Sequence, residues 1–75
     1  MTVVYSCIDY RNDEPEKTSS RKYDSVEEAE SAINKEISTF LNKYPKSKLE
    51  ISDKKFKILN DQNHVLKCYK LKESE

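Results

Sequence analysis

The most regular spacing of apolar residues lies in the middle of the chain. From Val26 the residues Ala29, Ile33, Ile37, Phe40, Leu41 and Tyr44 follow at intervals of three, four, four, three, one and three. At 100° per residue they gather into one arc of about 120°, the stripe of a helix lying on a core. Glu28, Ser31, Lys35, Thr39 and Asn42 fall on the opposite side. Asp24 followed three residues later by Glu27 predicts a capping box at the helix start, in which each side chain satisfies a free backbone N–H of the first turn. Pro45 ends the helix, because the residue before a proline is pushed out of the helical region. The predicted helix runs from about residue 25 to about residue 43.

On either side of the helix the pattern alternates residue by residue. Residues 2–10 are rich in β-branched and aromatic types and predict a strand. Its inward face is open to two readings: Val3, Tyr5 and Cys7 form one apolar row, and Val4, Ile8 and Tyr10 form another, interrupted by Ser6. The polar run Arg11 to Lys17, with Asn12, Asp13 and Pro15, marks a turn. Thr18 to Tyr23 is a candidate second strand, short, polar and at an edge.

After Pro45, Leu49 and Ile51 alternate with Lys48 and Glu50, then Phe56 and Ile58 with Lys55 and Lys57. The parity of the apolar row changes between the two pairs, so one continuous strand would turn its greasy face over. Either Ser52 to Lys55 is a tight turn between two strands, or a bulge re-registers one long strand. Asn60 to Asn63 reads as a turn, and Val65 to Leu71 as the last strand. The expected class is α+β: a single amphipathic helix packed on one face of a three- to five-stranded antiparallel sheet, in the order β(β)αββ(β). Residues 1–72 form a single domain in this reading, with 73–75 a frayed C-terminal tail.

Composition sharpens this picture. The chain has 75 residues, and a domain of that size buries only about 60% of the surface its unfolded chain exposes. With 35% hydrophobic and 37% charged residues the composition leans towards disorder, and the clean periodicity decides for folding. The net charge is zero but unevenly placed. Residues 1–41 hold five basic and nine acidic groups, and residues 42–72 hold nine lysines and three acids. Such a split can steer a charged partner to one side of the molecule. The plainer explanation is attraction between acids on the helix and lysines on the sheet. No segment reaches the ~18 apolar residues of a membrane span. The first ten residues lack a basic start and contain Asp9, unlike a signal peptide, so the expected location is cytoplasmic. Cys7 and Cys68 are expected as free, partly buried thiols, with a disulfide open only if their strands are neighbours.

No motif carries chemistry. The chain has no glycine, which removes every phosphate-cradling loop that relies on close backbone approach, so no nucleotide cofactor is expected. Cys7, His64 and Cys68 are the only soft or borderline metal ligands, and on a strand His64 and Cys68 stand roughly 13 Å apart, too far for one zinc. No nucleophile sits beside an oriented base in the sequence, and the expectation is a protein without enzymatic activity.

Two charged surfaces remain as candidates. Glu27, Glu28, Glu30 and Glu36, with loop acids nearby, form an acidic helix surface in which no glutamate has a basic residue four positions later. It suggests a small accessory or regulatory domain that binds another protein. The other is the lysine-rich C-terminal sheet, Lys46, Lys48, Lys54, Lys55, Lys57, Lys67, Lys70 and Lys72, with Phe56 and Tyr69 interleaved. Lys48, Lys55, Lys57, Lys67 and Lys70 are its candidate nucleic-acid contacts. Either form is expected as a monomer, or as a homodimer through the open sheet face or an edge strand.

Overall fold

Tight turns made without glycine set the strand pairing. The computed structural model describes residues 2–74. Asn12 and Asp13 hold positive φ of 53° and 64°, the two left-handed residues that a two-residue hairpin turn demands. Asparagine and aspartate adopt this conformation at low cost. The chain therefore reverses there, between β1 (Thr2–Arg11) and β2 (Glu14–Tyr23). The turn is tighter than the Arg11–Lys17 run suggests, and β2 is longer than the expected Thr18–Tyr23. Pro15 is tolerated because β2 is an edge strand. A register shift between Asp9 and Tyr10 leaves Glu16 as the extra residue of a bulge.

The helix, α1 (Val26–Lys43), is capped one position later than the sequence suggests. Ser25 has extended backbone and its Oγ accepts a hydrogen bond from the Glu28 N–H at 3.2 Å. Both Asp24 and Ser25 have a glutamate three residues on, and local geometry chooses the second pair. At the other end the Tyr44 N–H donates to the Phe40 carbonyl at 2.8 Å before Pro45 stops the helix.

Beyond it, β3 (Lys48–Ser52) and β4 (Lys55–Leu59) are separate strands joined at Asp53-Lys54, with Lys54 at φ 60°. This resolves the parity change, since Leu49 stands opposite Ile58 and Ile51 opposite Phe56, all on one side. β5 (Val65–Ser74) follows a loop organised by Asn60, whose Oδ1 accepts from the N–H groups of Gln62 and His64, both at 2.9 Å. β5 continues past Leu71, pairing Lys72 with Val4 and Glu73 with Val3. Residue 73 is thus strand and not tail, and Glu75 lies outside the described residues.

The five strands are all antiparallel, in the order β2-β1-β5-β4-β3, with α1 crossing one face, mainly over β1, β2 and β5. The fold is α+β, in the order ββαβββ. Val3, Tyr5 and Cys7 are the inward row of β1, joined by Phe56, Ile58, Tyr69 and Leu71 from the sheet and Ala29, Ile33 and Ile37 from the helix. Val3, Ala29, Ile33, Ile58 and Tyr69 lose all exposure. Each large side chain so buried contributes about 1.5–3 kcal/mol. Cys7 stands opposite Tyr69, and Cys68 opposite Ile8. The two thiols are therefore on neighbouring strands but opposite faces, and both are free.

Candidate functional site

The strand register sorts the charged side chains onto faces, because directly opposed residues of an antiparallel pair point to the same side. On the face away from the helix this places Lys22 on β2, Lys70 and Lys72 on β5, Lys55 and Lys57 on β4, and Lys48 on β3. Val4 stands between Lys22 and Lys72, and Ser6 faces Lys70. Lys55 and Lys70 oppose each other directly. Beneath the lysine stems lies a modest apolar floor, with Cys68 and Leu59 buried and Val4 and Ile8 half-buried. Glu50, opposite Lys57, is the only carboxylate among the paired positions of this face. None of the six lysines takes part in an ion pair among the described residues; Lys48 donates only to Asn63 Oδ1 at 3.3 Å.

Four of the five lysines expected to act together, Lys48, Lys55, Lys57 and Lys70, thus share this face. Lys67 leaves the set. It lies on the helix side, 3.4 Å from Asp9 Oδ1, with its ammonium 5.4 Å from the centre of the Phe40 ring. Lys22 and Lys72 complete the face. The parity of Lys72 with Lys70 on one strand is visible in the sequence, whereas Lys22 joins only because the bulge at Glu16 shifts the register of the Asn12-Asp13 turn by one residue and sets it opposite Val4. Phe56 and Tyr69, the aromatics interleaved among the lysines, point into the core. Neither of these two rings is therefore offered for stacking on the open face.

The acidic set is less coherent. Glu27 and Glu28 occupy the first turn of α1, where they complement the positive end of the helix dipole. Glu30 is exposed on the flank of the apolar stripe. Glu36 instead accepts a hydrogen bond from the Tyr5 hydroxyl, which ties it to the core.

Under the helix lies a polar seam. Burial holds the Tyr5 phenol far above its ordinary range, with the Glu36 carboxylate adding to the effect. Burial likewise raises Tyr69 and the Cys7 thiol. The Tyr69 hydroxyl is fully enclosed and has no hydrogen-bond partner. A reactive thiol needs the opposite shift, towards thiolate. At the C-terminal end of α1 an open groove of about 660 Å³ is walled by Tyr10, Phe40, Tyr44, Pro45 and Leu66, with Lys43 at its rim. His64 stands elsewhere, its Nδ1 2.7 Å from Asp13 Oδ2, joining two loops at one end of the sheet. Among the described residues no three His, Cys, Asp or Glu side chains cluster as metal ligands. Likewise no helix of the described residues is long and apolar enough to cross a membrane. No family model, curated protein or solved structure matches the chain at a significant level.

Proposed function

We propose that this chain is a non-catalytic binding module whose open sheet face holds the phosphate backbone of a nucleic acid. The observation that carries the reading is the opposition of Lys55 and Lys70 on neighbouring strands, within a face of six lysines and one glutamate. Like charges directly opposed across strands cost up to about 1 kcal/mol. A polyanion laid across the face removes that cost and releases its own counterions. The burial of Phe56 and Tyr69 in the core favours contact with the backbone over base stacking. Two free thiols suit a reducing compartment, in keeping with cytoplasmic residence.

Fluorescence anisotropy with a labelled mixed-sequence DNA duplex tests the proposal. Binding is expected to weaken with salt at a log–log slope between about −3 and −5. The double variant Lys55→Glu/Lys70→Glu is expected to abolish it while remaining folded. The single variant Lys55→Glu turns a repulsive pair into an attractive one and should bind more weakly yet be more stable, by about 0.5–1 kcal/mol. A flat titration at low ionic strength contradicts the proposal, as does binding indifferent to these lysines.

The other reading is a protein-binding accessory domain acting through Glu27, Glu28 and Glu30. It is favoured by their exposure and by the lack of an ion pair to any of them among the described residues. Under that reading, loss of a partner follows Glu27→Lys/Glu28→Lys and leaves duplex binding irrelevant.

A further inference from the structure

The two edges of the sheet differ in how they are protected. β2 carries Pro15 and a bulge at Glu16, devices that keep an edge from pairing. β3 has neither, and all five of its residues are exposed. Two of them are large and aliphatic: Leu49 is 36% exposed and Ile51 62%. They point to the helix side of the sheet, but α1 lies mainly over β1, β2 and β5 and leaves them bare.

We propose that β3 is a homodimer interface, in which it pairs antiparallel with β3 of a second copy about a two-fold axis at Leu49. The charges of the strand choose this register. Centred on Leu49, pairing sets Lys48 opposite the partner's Glu50 and Glu50 opposite the partner's Lys48. Centred one residue further, on Glu50, it would set two glutamates against each other, which is unfavourable. In the chosen register Leu49 meets the partner's Leu49, and Ile51 lies diagonally from the same leucine on the same side. Four exposed aliphatic side chains cover one another, and the one acid of the open face is neutralised.

The assembly closes at two copies, since the edges left free are the two β2 strands with their Pro15 and bulge. The axis is perpendicular to the sheet. Both helices therefore lie on one side, and the two lysine faces join on the other into one ten-stranded surface. The dimer rests on β3 alone and not on the polyanion reading, and it is measured by mass without any nucleic acid.

Sedimentation equilibrium of the full chain reads it directly. A reversible monomer–dimer equilibrium is expected. Ile51→Lys should shift it to monomer, and Glu50→Lys should weaken it about tenfold. The exchange Lys48→Glu/Glu50→Lys should restore it, because the opposed pairs become attractive again. Far-UV circular dichroism checks that each variant folds, as expected for a strand outside the core. Leu49→Cys gives a second readout that disturbs little: directly opposed Cα atoms lie about 4.5–5.5 Å apart, within disulfide range, so mild oxidation should cross-link Leu49→Cys but not Ile51→Cys. A monomer at every concentration overturns the proposal. So does growth beyond two copies, a dimer indifferent to Ile51→Lys, a charge exchange that fails to restore association, or cross-linking at Ile51→Cys instead.

Discussion

Tyr69 is fully buried, and its hydroxyl has no partner, next to the Cys7 thiol on the neighbouring strand and below Glu36. An unsatisfied buried hydroxyl costs about 1–3 kcal/mol, so Tyr69→Phe is expected to stabilise the fold, by about 1 kcal/mol in chemical denaturation. Tyr5→Phe should act in the other direction, because its hydroxyl is donated to Glu36. The same residues set the alkaline limit. The fold raises the proton affinities of Cys7, Tyr5 and Tyr69 above those of the unfolded chain. At high pH the native state thus binds more protons than the unfolded state, and stability must fall as pH rises. It is fully present below the unfolded values, begins to decline near pH 9 as unfolded Cys7 ionises, and declines more steeply above about pH 10, where free tyrosines ionise. Denaturant melts across that range check it, and Tyr5→Phe/Tyr69→Phe should flatten the steeper part. Constant stability up to pH 11 would contradict the buried seam.

Among the elements, α1 was the most legible, because seven apolar residues at helical spacing leave only one face to bury. Its cap was less so, since Asp24 and Ser25 each precede a glutamate by three positions and only the backbone decides between them. The structure assigns the role to Ser25, whose Oγ receives the Glu28 N–H. Ser25→Ala should therefore cost about 1 kcal/mol and Asp24→Ala only a few tenths, read by thermal melts. Equal costs would count against that assignment. The last three strands were readable from alternation, and the parity change correctly called for a turn or bulge near Ser52. β2 was not, because only Tyr23 of its ten residues is half-buried against the core, which leaves no period to find. It is held by pairing with β1 and by the turn at Asn12-Asp13. β5 ran past its expected end for a similar reason: Lys72 and Glu73 are ordered by the β1 backbone opposite them and not by side-chain burial.

For the molecule as a whole, the sequence placed lysines on the sheet and acids on the helix, and parity divides each strand between its faces without saying how the strands stand against one another. Four of the five singled-out lysines share the open face, and the parity of Lys67 against Lys70 already separates the fifth. What linear order could not supply was the opposition of Lys55 and Lys70, which depends on the β4–β5 register. Nor could it show that Glu36 is engaged by Tyr5, thirty-one residues away, which leaves Glu27, Glu28 and Glu30 as the glutamates of that surface without an ion pair among the described residues. The uneven charge resolves into a cationic plane with the helix and its glutamates behind it, a geometry that can orient the molecule towards a polyanion before contact. The most direct measurement is a map of backbone amide shifts by heteronuclear NMR as a short DNA duplex is added at low salt. The perturbed amides are expected to gather at Ser6, Ile8, Lys22, Lys55, Lys57, Cys68 and Lys70, with the helix from Glu27 to Glu30 unmoved. Shifts confined to that helix or to the groove beside Tyr44, or none at all, would contradict the polyanion reading.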